Sequence, residues 1–147
     1  MATVFETSEA AMLEPLIQWL QRNRWIRKDS IIAPELSWSG RRVDLATLTR
    51  SGVSSAYELK LSDTRRVLYQ AALNAVSFDR SFIVTASKPS FDNLEQARLL
   101  GLGVLVMNLQ AGRITTVVNP ITQSVNVIAR RRLEAQIRTI SERSRVQ

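Results

Sequence analysis

Between residues 31 and 61 the chain leaves helical spacing and presents three short segments with β character, Ile31–Trp38, Arg42–Thr49 and Ser54–Leu61. Ser39-Gly40 and Ser51-Gly52 stand between them as turn signals. Gaps this short hold no crossover helix, so consecutive strands fold back on one another as an antiparallel meander. Any fold for the chain must be built around that meander.

The flanks are helical. Leu13, Leu16, Ile17 and Leu20 recur at i, i+3, i+4 and i+7 within residues 8–27, with Ser8 as N-cap. Pro15 is awkward inside that helix and suits the first turn of one that starts at Glu14. Residues 63–76 carry Val67, Leu68, Ala71, Ala72 and Ala75 on one face, with Ser62 or Asp63 as cap. Ser81–Ala86 and Gly103–Leu109 read as buried strands, and Ser90–Leu100 as a helix closed by Gly101. Arg113–Val118 reads as an edge strand after the Ala111-Gly112 turn. Residues 124–143 read as a last helix striped by Ala129, Leu133, Ile137 and Ile140. The order α, β, β, β, α, β, α, β, β, α predicts an α/β fold with a mixed central sheet flanked by helices. Asn119-Pro120 predicts a boundary between a domain over 1–120 and a basic C-terminal helix over 121–147.

Composition narrows the chemistry. The 147 residues include no cysteine and no histidine. Zinc fingers, haem held by His or Cys, iron–sulfur clusters and His-dependent nucleophilic triads are excluded. Carboxylates, lysine, arginine, hydroxyls and a hard, oxygen-bound cation remain. Lys+Arg is 20 against 13 for Asp+Glu, a net of +7, with a pI near 11.0. Only Lys28, Lys60 and Lys88 are lysines; the other 17 cations are arginines, whose planar fork matches phosphate. Such a balance is the footprint of a nucleic-acid binder. Residues 113–147 hold seven arginines against Glu134 and Glu142, so +5 of the +7 lies there. The longest apolar run, Val104–Met107, is far too short to span a bilayer, and no leader segment is evident, so the expected setting is cytoplasmic, without a membrane.

The chemistry-bearing stretch is Gly40-Arg41-Arg42-Val43-Asp44-Leu45-Ala46 followed by Ala56-Tyr57-Glu58-Leu59-Lys60-Leu61. Alternation along a strand sends Glu58 and Lys60 to one face. Charged groups among apolar strand residues are costly unless paired or bound to something. Asp44 repeats the anomaly on the neighbouring strand, and a hairpin brings it toward Glu58. Two carboxylates at one point repel unless a cation lies between them, and Mg²⁺ suits such a site.

These residues resemble the PD-(D/E)XK nuclease superfamily, the restriction-endonuclease-like fold. Its pattern is an acidic residue on one strand and E-x-K on the next, here Asp44 and Glu58-Leu59-Lys60, 14 residues from acid to acid. Val43 stands where the nominal Pro would be. The family's following helix often carries a Gln, here Gln70, and its αβββαβ core order matches residues 8–86. The resemblance implies a Mg²⁺- or Mn²⁺-dependent endonuclease hydrolysing phosphodiester bonds in DNA. Asp44, Glu58 and the Leu59 carbonyl would hold the metal, Lys60 would orient the attacking water, and Gln70 would bond a phosphate or water. A Glu from the first helix often joins: Glu6, Glu9 and Glu14 are candidates. Glu9 is favoured because it falls on the Leu13, Leu16, Leu20 stripe.

Arg41, Arg42, Arg65 and Arg66 flank this site as candidate phosphate contacts. Arg130, Arg131 and Arg132, with Arg138, Arg143 and Arg145, decorate the last helix. That helix could track a DNA backbone or pack its stripe on a second subunit, and a homodimer or larger assembly is expected. Glu35 reads as a solvent-facing strand residue, Tyr69 as core, and Trp25 and Trp38 as core or rim rather than base-stacking platforms. No separate DNA-reading module is present, which points to structure-selective or partner-directed cleavage. The alternative is a non-catalytic nucleic-acid-binding or assembly module on the same fold.

Overall fold

The computed structural model describes residues 8–62, 65–123 and 127–146. Among the described residues, six strands form one mixed sheet in chain order. β1 (Ile31–Trp38), β2 (Arg41–Leu48) and β3 (Ser54–Lys60) make the antiparallel meander. β4 (Arg80–Thr85) and β5 (Gly103–Asn108) run parallel to β3, and β6 (Arg113–Val118) returns antiparallel on β5. Ser39 and Gly40 join β1 to β2 with φ of 53° and 75°. Two successive residues at positive φ give the mirror-image turn whose twist matches a hairpin.

Four described α-helices flank the sheet: α1 (Leu13–Arg22), α2 (Arg65–Asn74), α3 (Phe91–Leu99) and α4 (Val127–Val146). A 3-10 turn, Glu9–Met12, leads into α1, and Ser8 caps it by accepting the Ala11 N–H at 3.3 Å. Pro15 sits in the first turn of α1, where its missing N–H has no helical partner to lose. The helix expected to reach residue 27 stops at Arg22. There the Arg24 N–H donates to Gln21 O and the Trp25 N–H donates to Leu20 O, with Arg24 at φ 59°. This is the Schellman closure that glycine favours. α3 ends the same way through Gly101 at φ 72°. Glycine marks the second stop in the sequence, and arginine hides the first.

On one face of the sheet Met12, Leu16 and Leu20 pack against Leu45, Tyr57, Leu59, Phe82, Val84 and Leu105. On the other, α2 and α3 cover Ile83 and Val104. Both fall on that side because β3, β4 and β5 advance in one direction, which right-handed crossovers require. α4 lays Leu133 and Ile137, both fully buried, over Ala33, Leu36, Val43, Ala46 and Leu48. Residues past 120 are tied to the rest: the Ile121 N–H donates to Gly101 O and the Gln123 N–H to Asp79 O. The basic helix is thus a layer of the same core, and its central stripe is spent within the chain. No described helix is long and apolar enough to cross a membrane. Glu6, Asp63 and the side chains of Arg143 and Arg145 lie outside the described residues.

Candidate active site

β2 and β3 pair from Leu48 opposite Ser54 to Leu45 opposite Tyr57. The next step in that register sets Asp44 opposite Glu58, and the ladder stops there. Across β2, the β1 ladder skips Glu35, which stands opposite Asp44 with φ of 52°. Asp44 therefore occupies a point where the regular sheet gives way. Its Oδ2 accepts the Leu59 N–H at 2.8 Å, taking the place of the missing backbone bond. A residue's N–H and C=O point to the same side of a strand, so the Leu59 carbonyl also faces the β2 side, where the ladder has ended.

Glu58 is removed from water and Asp44 is half-buried. Glu58 is 2% exposed. Burial, and then the neighbouring Asp44 charge, push its carboxyl up to about 7. Asn74, the Asp44 backbone and Arg41 act in the opposite direction. Asp44 is also raised, chiefly by burial and further by Glu9, against the Leu59 N–H, Arg42 and Lys60. Glu58 Oε1 is buried with no hydrogen-bond partner among the described residues. Lys60 ends β3, half-buried, with its Nζ 3.5 Å from Glu9 Oε1.

Glu9, Asp44, Glu58 and Lys60 thus meet at the C-terminal end of β3. Glu9 does so from the 3-10 turn and not along the α1 stripe: it is exposed, and Met12, Leu16 and Leu20 are the buried positions. Glu14 is exposed and accepts from Gln18 one turn on. Gln70 is half-buried on α2 and makes no described hydrogen bond. One turn further, Asn74 is fully buried, and its Oδ1 accepts from Arg41 Nη2 at 2.8 Å. Sequence reasoning passed over Asn74; its signal was a single amide in the run Ala-Ala-Leu-Asn-Ala-Val.

The arginines divide. Arg42 is exposed and 3.8 Å from the equally exposed Glu35. Arg65 and Arg66 are exposed at the start of α2, near the end of β3 that carries Lys60. Arg131 and Arg132 are exposed on α4. Arg130 is instead engaged by Asp79, a buried carboxylate that also accepts from the Ser54 N–H and Oγ. That cluster lies at the far end of β3, about 20 Å from Lys60 at about 3.3 Å per residue. Tyr69, expected in the core, is 67% exposed. It sits one position off the Val67–Leu68–Ala71 face, and about 100° per residue turns it outward. Trp25 packs edge-on against Trp19 at 4.7 Å and lies 5.6 Å from Phe82, so its ring is committed to the core.

Among the described residues no group of three or more Asp, Glu, His or Cys side chains converges as a ligand set. The pair Asp44 and Glu58, an unpartnered carboxylate oxygen and an adjacent carbonyl are what is present. That donor set fits Mg²⁺ or Mn²⁺, which take one or two carboxylates and complete their shell with water and phosphate oxygens.

No protein-family model and no curated protein matches the chain. Among solved structures, a protein of unknown function from Silicibacter pomeroyi aligns with a TM-score of 0.58 and 20% identity, over 79% of this chain and 77% of that one. SfsA from Pyrococcus furiosus, solved in complex with Ca²⁺, aligns with a TM-score of 0.37 and 18% identity, over 68% of this chain and 57% of that one. The first likeness is one of fold alone, and the second is too distant to add to it.

Proposed function

We propose that this protein is a metal-dependent nuclease of the PD-(D/E)XK type that hydrolyses phosphodiester bonds in DNA. The observation that carries the reading is the desolvated pair Asp44 and Glu58 at the break between β2 and β3, with Lys60 two residues beyond. Asp44, Glu58 and the Leu59 carbonyl would hold Mg²⁺ or Mn²⁺. When bound, the ion supplies Lewis-acid charge and makes a water molecule more acidic. The chain's own residues do the rest. Lys60 offsets the charge that grows on the phosphate and holds the attacking water by hydrogen bonding. Glu9 keeps the Lys60 ammonium at the strand end instead of letting it extend into solvent. Arg42, Arg65 and Arg66 meet phosphates on either side and fix the backbone, so that most of the rate comes from positioning and charge. Water adds to phosphorus, one P–O bond breaks, and the products are a phosphate-ended and a hydroxyl-ended strand. No histidine is needed.

The test is incubation of supercoiled, linear and branched DNA with the protein in Mg²⁺, Mn²⁺ or EDTA. Metal-dependent cleavage by the wild type, lost in Asp44→Asn, Glu58→Gln and Lys60→Ala, is expected. Absence of such cleavage, or equal cleavage by Lys60→Ala, rejects the reading. Tight, salt-sensitive DNA binding without cleavage would turn it into a binding module.

A further inference from the structure

The row of residues that begins at Lys60 continues across the sheet. Lys60 pairs with Thr85, Thr85 with Val106, and Val106 with Thr115. Paired neighbours project to the same face, so these four side chains form one line from β3 to β6. Arg113 stands two residues before Thr115 on β6 and shares that face. Three strand spacings separate β3 from β6, about 14 Å in all. Along this end of the sheet opens a groove of about 970 Å³. Two of its lining residues, Ala11 and Ala86, tie it to the candidate site. The Ala86 N–H donates to Lys60 O at 3.2 Å. Ala11 lies two residues after Glu9, whose Oε1 is 3.5 Å from Lys60 Nζ. The groove thus starts beside the Lys60–Glu9 pair and runs to the edge of the sheet. Lys88 and Arg113, both exposed, line it, and no Asp or Glu does. Neither cation makes an ion pair among the described residues, whereas Arg42, Arg50 and Arg98 each lie near a carboxylate. Asn108, Gln110 and Thr115 add neutral hydrogen-bonding groups. Two cations with no acid to neutralise them, set among neutral polar groups, suit an extended anion and repel none of it.

We propose that this groove holds one strand of DNA beside Lys60, with Lys88 and Arg113 each on one of its phosphates. The inference deepens the nuclease reading and rests on it in taking DNA as the polyanion. The span from β3 to β6 matches about four nucleotides at about 3.4 Å each. Arg42 lies on β2, on the opposite side of β3 from the groove. A strand passing Lys60 would then meet cations before and after it, which holds the phosphate at Lys60 in place from both directions. Neither Lys88 nor Arg113 belongs to the Asp44, Glu58-x-Lys60 pattern. The register of β4, β5 and β6 brings them to the same end of the sheet.

The experiment is titration of the full chain into a short, fluorescently labelled single-stranded DNA, in EDTA and at several salt concentrations. It compares the wild type, the double variant Lys88→Gln, Arg113→Gln, and a control, Arg27→Gln, Lys28→Gln, that removes the same charge at the other end of the sheet. All four positions are exposed, and thermal melts show that each variant is folded. Each phosphate contact on a single strand contributes about 0.7 to the slope of log K against log salt, so the groove variant should lose about 1.4. The control should keep the wild-type slope. An unchanged slope in the groove variant overturns the proposal. So does an equal fall in both variants, which would reduce the effect to net charge. A wild type that binds no DNA at low salt overturns it as well. Cleavage with Mg²⁺ or Mn²⁺ is read separately. If the wild type cleaves and the groove variant keeps the wild-type slope, the groove fails and the nuclease reading stands. If the slope falls as expected but the wild type cleaves nothing, the groove stands as a DNA-binding site and the nuclease reading fails.

Discussion

Glu58→Gln should make the metal-free protein more stable at neutral pH. The carboxyl holds its proton up to about pH 7, against an ordinary 4.5, because burial and Asp44 both disfavour the anion. The folded chain therefore binds that proton more tightly than the unfolded chain. Protonation favours folding, so the stabilisation is complete below pH 4.5 and is lost as pH rises through about 7. At about 1.4 kcal/mol per pH unit the whole loss is about 3 kcal/mol. Glutamine is nearly isosteric and neutral throughout, so it escapes this loss. Urea unfolding of both proteins in EDTA at pH 4.5, 6, 7 and 8 isolates the effect, since acids that do not interact with Glu58 cancel in the difference. The two should match near pH 4.5 and diverge until the variant leads by about 3 kcal/mol at pH 8. Because Asp44 and Glu58 interact, the profile belongs to the pair, and Asp44→Asn should flatten it too. Saturating Mn²⁺ should restore the wild type and leave Glu58→Gln unmoved, adding about 2.7 kcal/mol at a hundredfold excess over Kd. A wild type and variant that keep a constant difference from pH 4.5 to 8 would refute the argument that desolvation governs this acid.

Asp44→Ala strands the Leu59 N–H, whereas Asp44→Asn keeps an acceptor for it; denaturation in EDTA should find the alanine variant less stable than the asparagine one by about 1–3 kcal/mol. Arg130→Ala should lower stability by about 2 kcal/mol, less than for a fully buried pair because Arg130 is partly exposed and Asp79 keeps its bonds to Ser54. Arg131→Ala and Arg132→Ala should stay within about 0.5 kcal/mol of the wild type in the same melts. Replacing Arg65 and Arg66 together by Gln should reduce the slope of log K against log salt for duplex DNA by about 2. The same change at Arg27 and Lys28 should leave the slope as it was.

Asp44, Glu58 and Lys60 were legible because a charge inside an apolar strand has few bland explanations. The meander followed from gap length, and the alternation of Glu58 and Lys60 followed from strand geometry. What the sequence withheld was where regularity ends. Nothing in Val43-Asp44-Leu45 says that the ladder stops at Asp44, because that depends on what β1 and β3 do on either side. Glu9 reaches Lys60, but from a 3-10 turn; extending the α1 period backwards assigns it to the core, where it is not. Gln70 drew notice as a polar residue on a helix face, yet Asn74 has the buried position, because the helix face turned to β3 is set by Val67 and Ala71. Asp79 was silent for a similar reason: its partners Ser54 and Arg130 lie 25 and 51 residues away.

Charge is where fold and sequence part most. Counted along the chain, most of the excess lies after residue 113, away from the carboxylates. Counted by position on the sheet, the division is different. Arg130 lies with Asp79 and Ser54 at the end of β3 remote from Lys60. Gln136, six residues later and about 9 Å along the helix at about 1.5 Å per residue, lines a shallow depression with Ser37, Trp38, Arg41 and Arg42. α4 therefore runs from the far end of the sheet toward the β1–β2 hairpin, beside the strand that carries Asp44. The first cation of the basic helix is spent on a buried acid, and Arg138, exposed, lies beyond Gln136. Arg22, Arg24, Arg27, Lys28 and Arg50 are exposed in or beside the loops at the other end. A polyanion drawn to the protein by net charge alone would meet both ends. One that must reach Asp44 and Glu58 would pass Arg42, Arg65 and Arg66, so the salt slopes of the two double variants separate attraction to a basic protein from engagement of this site.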